Sequence, residues 1–332
     1  MMMRLWVVFV VMVVSVFAQD SVTNHNGAQH KALCDVLTIA AHKWEKARET
    51  LSNPLKKALA KTLFGREDGE LSELKDLPRG YDDVGGSRGL WCGQPKYDAS
   101  YQSRWSGHSA THDMVCLCTA GENGWPVNSS SPRGTTLCGK DKTALKAEED
   151  KGWGGSGNDG KEQIGSTWTN VTVPCLEGGG AGDLKQALND FLRKLENKST
   201  EDYTNRYQLG EGTPVSYTAC TGTTPRGVCV MYCNNTRITK TMPWWTDLQN
   251  AIKEDEEIQK RREEEEKRRQ QEKVNDNDQP TAERLSATPM TTNQTHQSQK
   301  DNITDKLHKH NLTGSSSIIL PPSWLLSVVF LI

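Results

Sequence analysis

The sequence predicts a mainly α-helical protein, an elongated antiparallel helical hairpin or coiled-coil bundle that carries a disulfide-rich loop lobe. Two segments whose apolar residues alternate in spacing between four and three predict the helices of the hairpin. All nine cysteines lie between Cys34 and Cys233, in and around a glycine-rich middle region, and they predict the lobe. Beyond them, a highly charged segment predicts a further helix, and a polar stretch without cysteine predicts a disordered C-terminal tether.

The first predicted helix begins near Gln29 and follows the a and d spacing of a coiled coil. Its apolar positions are Leu33, Leu37, Ala40, Trp44, Ala47 and Leu51. Helical throughout, this segment would form a rod of roughly 36 Å. Pro54 interrupts the pattern and suits the first residue of a second helix. That helix should end at Gly65, because glycine accepts the left-handed conformation of a helix C-cap. Its apolar stripe consists of Leu55, Leu59 and Leu63.

A partner for the first helix is predicted between Asp183 and Leu195, where the apolar spacing is again four, three and four. The repeating residues are Leu184, Leu188, Phe191 and Leu195. The two helices would form an antiparallel hairpin, with the interval from Arg79 to Gly182 as a loop-rich lobe at one end. Since this interval shows no long apolar periodicity, disulfides rather than a large core should hold it together.

The cysteines are all disulfide candidates, because the sequence begins with a secretion signal described below. They are Cys34, Cys92, Cys116, Cys118, Cys138, Cys175, Cys220, Cys229 and Cys233. Nine is an odd number, so one thiol is either free or paired between chains. The sequence leaves the connectivity open.

The C-terminal part changes composition after Trp245. From Lys253 to Lys273, 17 of 21 residues are charged, and several acid-before-base pairs occur four residues apart, such as Glu265 with Arg269. This order favours a solvated helix, for which Asp247 would be the cap, and such a helix makes a stiff spacer.

Both ends of the chain predict processing signals. Met1 to Ala18 has a short basic start, an apolar core and small residues at its end, as in a secretory signal peptide. At the other end, small residues precede an apolar tail, which is the pattern of a GPI-attachment signal. The attachment residue should be Ser315, with Gly314 and Ser316 as alternatives. A tail anchor or a buried strand is the other interpretation of this tail.

These features divide the chain into five predicted segments. They are a signal peptide (1–18), an ectodomain (19–246), a charged helix (247–273), a glycosylated flexible tether (274–315) and a removed attachment signal (316–332). The predicted location is the extracellular face of the plasma membrane, with the lipid in the outer leaflet. Seven N-x-S/T sequons predict N-glycosylation, at Asn128, Asn170, Asn197, Asn234, Asn293, Asn302 and Asn311.

Catalysis, cofactors and nucleic acid are not predicted. The net charge of −2 provides no basic surface for nucleic acid. The segment Gly155 to Glu162 resembles a phosphate-binding loop, but Glu162 stands where Ser or Thr would hold Mg²⁺. A zinc-like set of two histidines and two cysteines is spaced poorly for one tetrahedral ion, and oxidation would favour disulfides. That set is His108, His112, Cys116 and Cys118.

Several motifs together resemble one family. They are A-L-C-D-V-L-T-I-A-A-H-K-W (Ala32 to Trp44), L-W-C-G (Leu90 to Gly93), C-L-C (Cys116 to Cys118), the charged helix and the serine-rich attachment signal. This combination resembles the variant surface glycoproteins of African trypanosomes, with an N-terminal domain of the B type. The absence of cysteine after Cys233 is more similar to the congolense group than to the brucei group.

The resemblance implies a homodimer packed as a dense coat over the cell. Such a coat is exposed to host antibodies and evades them by antigenic variation, without catalysis. The a/d seam of the first helix would then be shared between protomers. The alternative is a GPI-anchored receptor of the same helical family, of the transferrin or haptoglobin–haemoglobin type. The sequons at Asn128 and Asn170 favour the coat, because a receptor should keep its ligand surface free of glycans.

Overall fold

The computed structural model describes residues 22–81, 87–96, 102–155, 160–201, 203–215, 218–234 and 241–277. Helices dominate these residues. They are α1 (Gly27–Ala47), α2 (Asn53–Phe64), α3 (Arg88–Gly93), α4 (Ala110–Cys118), α5 (Lys161–Thr167), α6 (Val173–Glu177), α7 (Leu184–Leu192) and α8 (Trp244–Asn277). A π-helical turn, Trp168–Thr172, joins α5 to α6. The strands are β1 (Asn24–His25), β2 (Thr136–Leu137), β3 (Glu196–Asn197), β4 (Arg206–Glu211) and β5 (Val228–Cys233).

Helix α1 is the central element of the domain. Its buried residues form two adjacent stripes rather than one: Ala32, Leu33, Val36, Leu37, Ala40, Ala41 and Trp44. This wide apolar face contacts α2, α4, α6 and α7 of the same chain. The predicted sharing of the a/d seam between protomers is therefore wrong, because Leu33, Leu37 and Ala40 are completely buried within one protomer.

Helix α2 agrees with the prediction at both ends. It begins at Asn53 with Pro54 in its first turn, and the following Gly65 adopts the left-handed conformation (φ 74°). The Gly65 N–H donates to the Lys61 carbonyl oxygen at 2.9 Å, which closes the helix. Glycine is required here for a second reason, since a Cβ atom would lie 2.2 Å from Nε2 of His108.

The predicted partner helix is present as α7, and it packs against α1. The Asp183 side chain accepts from the Gln186 N–H at 3.0 Å and caps the helix. Helix α7 has 9 residues and α1 has 21, so an extended coiled-coil hairpin is not confirmed. The supported architecture is a helical bundle in which α6 and α7 both cover α1.

The interval from Arg79 to Gly182 forms much of the core, which corrects the prediction of a peripheral lobe without one. All nine residues of α4 are buried, and α4 contacts α1, α2, α3 and β5. A helix that is buried on every side has no polar face, and therefore no amphipathic period for a sequence pattern to reveal.

A three-stranded antiparallel sheet is an element that the sequence analysis missed. Strands β4 and β5 pair from Arg206 opposite Cys233 to Glu211 opposite Val228, and β3 pairs with β4 on the other side. Five consecutive residues of β5, Val228 to Tyr232, are buried. Such a short apolar run is the signal of a strand covered on both faces.

Four disulfides connect eight of the nine cysteines. The pairs are Cys34–Cys175, Cys92–Cys116, Cys118–Cys138 and Cys220–Cys229. Their Cα–Cα distances, from 4.8 to 5.6 Å, are ordinary for disulfides. They link α1 to α6, α3 to α4, and α4 to the segment after β2, while the fourth closes the short loop into β5. Cys233 takes part in none of these four bonds.

Helix α8 begins three residues before the predicted start. Asp247 therefore lies in its first turn, where it pairs with Lys61, and is not its cap. The buried residues of α8 are all near its beginning: Trp244, Trp245, Leu248, Ala251 and Ile252. The side chains from 259 to 273 are exposed. The predicted pair of Glu265 with Arg269 is confirmed at 2.7 Å.

Several predictions concern residues outside the described ranges. They are the signal peptide (1–18), the tether beyond Asn277, the attachment signal (316–332) with Gly314, Ser315 and Ser316, and the sequons at Asn293, Asn302 and Asn311. These stay predictions.

Candidate functional site

Asp113, on α4, is a completely buried acid. Its fully buried carboxylate accepts three hydrogen bonds, from the Gly107 N–H at 2.9 Å, the Tyr232 hydroxyl at 2.9 Å and the Trp244 Nε1–H at 2.7 Å. Burial raises the pKa of Asp113 to about 7, against the opposing effect of these donors. The donors come from the loop before α4, from β5 and from α8. Asp113 therefore joins three parts of the chain.

His112, a member of the zinc-like set, is a buried structural residue. Its Nδ1 lies 2.8 Å from the Tyr81 hydroxyl, and its Nε2 lies 3.2 Å from the carbonyl oxygen of Trp91. Burial lowers the pKa of His112 to about 3, so the ring is neutral at physiological pH. The cysteines of the set are bonded elsewhere, Cys116 to Cys92 and Cys118 to Cys138. The structure therefore does not assemble these four residues as thiolate and imidazole ligands of one ion.

Arg88 is a buried cation that the sequence analysis did not single out. Its guanidinium donates to the carbonyl oxygens of Cys116 (2.7 Å), Trp153 (3.1 Å) and Ala120 (3.3 Å). It also stacks on the Trp153 ring, 4.9 Å from the centroid. Burial lowers the pKa of Arg88 to about 9. No sequence signal marks it, since its acceptors are backbone groups distant in the chain.

Asn26 is a second buried residue that the sequence analysis missed. It has a left-handed backbone (φ 56°) directly before α1. Its Nδ2 donates to the carbonyl oxygens of Leu117 at 2.8 Å and Val228 at 2.7 Å, and its Oδ1 accepts from the Glu211 N–H at 2.9 Å. One amide thus satisfies backbone groups of α4, β4 and β5. The Asn26-Gly27 pair, before an apolar helix pattern, was the available signal.

The segment that resembles a phosphate-binding loop has no phosphate-binding features among its described residues. Gly160 adopts φ 94°, and Lys161 begins the seven-residue helix α5. Glu162 lies in the first turn of α5, and its carboxylate pairs with Lys146 at 2.7 Å. A carboxylate at this position would repel phosphate.

Four sequons lie in the described part of the chain. Asn197 is exposed on β3, whereas Asn128, Asn170 and Asn234 are half-buried. The Nδ2 atoms of Asn128 and Asn170 donate to the carbonyl oxygens of Asn123 and Ala144, both at 2.8 Å. Glycosylation of all four stays a prediction.

One surface groove of about 290 Å³ lies between α1, the turn Leu71–Leu74 and α6. Its apolar lining comes mainly from Leu71, Leu74, Val173 and Leu176. Its charged and polar lining is His42, Glu45, Lys75 and Glu177. The groove therefore combines an apolar lining with charges of both signs.

The fold and these sites define a class, a disulfide-linked helical domain whose buried polar residues serve to join its elements. The sequence model of the trypanosomal VSG domain matches residues 38–274, more than two thirds of the chain, and the protein belongs to this family of trypanosome variant surface glycoproteins. This confirms the family resemblance, while likeness to the congolense group stays a prediction. Comparison with curated proteins gives no match. The family consists of structural coat proteins of the cell surface rather than enzymes. Among the described helices, none is both long and apolar enough to cross a membrane.

Proposed function

We propose that the protein is a GPI-anchored, homodimeric variant surface glycoprotein that forms a dense protective coat on the cell. The coat shields other surface proteins, and its replacement by variants evades host antibodies. The match of residues 38–274 to the VSG domain carries this proposal. Function then depends on coverage of the surface and on variation of exposed residues, without a catalytic centre.

The use of the interior polar groups supports this function. Asp113, His112 and Arg88 are all buried, and each bonds to groups of its own chain. Residues that are bonded in this way stabilise the domain and are not directed at a substrate. The exposed residues remain free to vary, as antigenic variation requires.

The exposed part of α8 supports a spacer next to the anchor. At 1.5 Å per residue, the 34 residues of this helix extend over about 50 Å. The side chains from 259 to 273 are exposed and mostly charged, so this part needs no packing partner to remain in water. A stiff spacer would keep the domain at a distance from the lipid.

The second candidate function is a GPI-anchored receptor for a host ligand, of the transferrin or haptoglobin–haemoglobin type. One observation favours it, the groove lined by Leu71, Leu74, Val173 and Leu176 between α1 and α6. A receptor would be scarce and would bind a serum protein, whereas a coat protein would be abundant and would bind none.

The anchor is tested by treating intact cells that make the protein with phosphatidylinositol-specific phospholipase C. We expect release of the protein into the medium. Mass spectrometry should then show the glycan of the cleaved anchor on its C-terminal residue. Release of a protein that also binds transferrin or haptoglobin–haemoglobin would favour the receptor. Retention on cells from which a known GPI-anchored protein is released would contradict the proposed anchor.

A further inference from the structure

A cluster of one histidine and two cysteines lies at the contact of α1 with α6. His30 and Cys34 are four residues apart and therefore lie on one face of α1. Cys175, on α6, is bonded to Cys34, and its Sγ lies 3.9 Å from Nε2 of His30. One ring nitrogen of His30 and the two sulfur atoms all lie within 4.8 Å of one another.

This disulfide is more accessible than the other three. Cys34 and His30 are half-buried, and Cys175 has 2 % of its surface exposed. The other six bonded cysteines are at most 1 % exposed. A reductant in solution should therefore attack the sulfur of Cys34 before any other disulfide of the domain.

The contact between α1 and α6 does not depend on the disulfide alone. The Thr38 hydroxyl donates to the carbonyl oxygen of Cys175 at 2.7 Å, one turn further along α1. Helices α1 and α6 also pack directly against each other, and Val173 and Leu176 of α6 are partly buried against the core. The two cysteines should therefore stay close to each other and to His30 after their bond is broken.

We propose that reduction of Cys34–Cys175 creates a binding site for a thiophilic divalent cation such as Zn²⁺. Nε2 of His30 and the sulfurs of Cys34 and Cys175 are its ligands. A dithiol reductant supplies two electrons and two protons, and is itself oxidised to a disulfide. The cation then binds the two sulfurs and releases both thiol protons. Two thiolates, one imidazole and an open fourth position form a known arrangement for zinc.

The dimensions of the cluster fit such an ion. Ligands at zinc-to-sulfur and zinc-to-nitrogen distances of about 2.3 and 2.0 Å are separated by roughly 3.5 Å in a tetrahedral site. The Nε2 of His30 is already near this distance from Cys175, and the sulfurs need only rotate apart. Burial lowers the pKa of His30; the charge of Lys140 adds to this effect and that of Asp35 opposes it. The bound cation would replace the disulfide as the connection between α1 and α6.

The chain contains a natural control on α4. His112 and Cys116 have the same four-residue spacing, and Cys116 Sγ lies 3.6 Å from His112 Nε2. Both residues are completely buried, and the histidine nitrogens face Tyr81 and Trp91. Neither a reductant nor a cation can reach this second pair in the folded domain, so it should take no part.

The test uses the full ectodomain, reduced with dithiothreitol until mass spectrometry shows one disulfide opened. In one portion of the sample we expect alkylation at Cys34 and Cys175. A second portion is freed of dithiothreitol and left unalkylated, and there Co²⁺ should give a thiolate-to-cobalt charge-transfer band with one ion per chain. Zn²⁺ should displace Co²⁺ and raise the melting temperature of the reduced protein. His30→Ala should weaken Co²⁺ binding by about tenfold or more. His42→Ala, on the same helix, should leave it unchanged.

Three results would overturn the proposal. One is a Co²⁺ band that is absent, or that His30→Ala leaves unaltered. Another is a first reduction at any of the other three disulfides, Cys92–Cys116, Cys118–Cys138 or Cys220–Cys229. The third is a reduced domain that loses its fold and does not regain it when Zn²⁺ is added.

Discussion

At the scale of single residues, Asp113 joins three separate segments of the chain to α4. Its carboxylate receives hydrogen bonds from Gly107, Tyr232 and Trp244 in a site without water contact. In the sequence it is one acid in the apolar segment A-T-H-D-M-V-C-L-C. A buried acid in such a run should be fully bonded. Two of its donors, however, lie 119 and 131 residues later in the chain, so they cannot be identified from spacing.

Asp113→Asn tests this role. The amide places an NH₂ group where the carboxylate had accepted, so at least one buried donor loses its acceptor. We expect a loss of about 2 to 3 kcal/mol in the free energy of unfolding, measured by chemical denaturation. Asp35→Asn is the matched control, since Asp35 pairs with Lys31 on the surface and such pairs contribute less than about 1 kcal/mol. Equal stability of the two variants would contradict the role.

The raised pKa of Asp113 predicts that the stability of the domain depends on pH. Burial raises the folded pKa of Asp113 to about 7, so the folded state binds a proton more tightly than the unfolded state. Its contribution to stability is therefore complete below the ordinary pKa and falls as pH rises towards 7. His112, whose folded pKa is lowered to about 3, acts in the opposite direction.

The difference in the free energy of unfolding between the wild type and Asp113→Asn separates the pH-dependent contribution of Asp113 from that of the histidines. This difference should be larger near pH 5 than near pH 8, measured at constant ionic strength. A difference that grows as pH rises would mean that the three donors outweigh burial and keep the carboxylate ionised.

At the scale of elements, local signals predicted the helices that begin or end at marked residues. Pro54, Gly65 and Asp183 each act within one turn of their own helix, so their roles can be predicted from the sequence. The hairpin of α1 with α7 could not be predicted in the same way. The apolar face of α1 is wide, and which elements cover it depends on residues far away in the chain.

Helix α8 offers a comparison between two adjacent tryptophans. Trp244 donates to Asp113, whereas no described residue accepts from the buried Nε1 of Trp245. We expect Trp244→Phe to lower the free energy of unfolding by about 1 to 3 kcal/mol, because Asp113 loses a donor. Trp245→Phe should lower the free energy of unfolding by clearly less, since it removes a donor for which no described residue is the acceptor. Thermal and chemical denaturation of both variants measure this, and a larger loss for Trp245→Phe would contradict it.

At the scale of the whole molecule, the sequence predicted the family correctly but not how the helices and strands of the domain pack together. Short motifs such as those at Ala32 to Trp44 and Leu90 to Gly93 can be recognised in the sequence even where their contacts cannot be inferred. The buried helix α4 and strand β5 lack an amphipathic period, so their central position was missed. The zinc-like set was not predicted to bind metal, and both of its cysteines form disulfides with partners outside the set.

The described surface exposes few large hydrophobic side chains to water. Among the described residues, the exposed large hydrophobic side chains are Val22 and Val215. Separate exposed apolar residues are normal on a soluble surface and do not form a binding patch. A receptor function should be sought at the groove between α1 and α6, which has an apolar lining.

The proposed coat is tested by the number of copies on the surface of a cell that expresses this protein. Quantitative mass spectrometry of surface-labelled protein gives this number, with a known low-abundance surface receptor measured in the same sample. We predict that this chain is the principal surface protein and exceeds the receptor by orders of magnitude. An abundance equal to that of the receptor would contradict the coat and favour ligand binding.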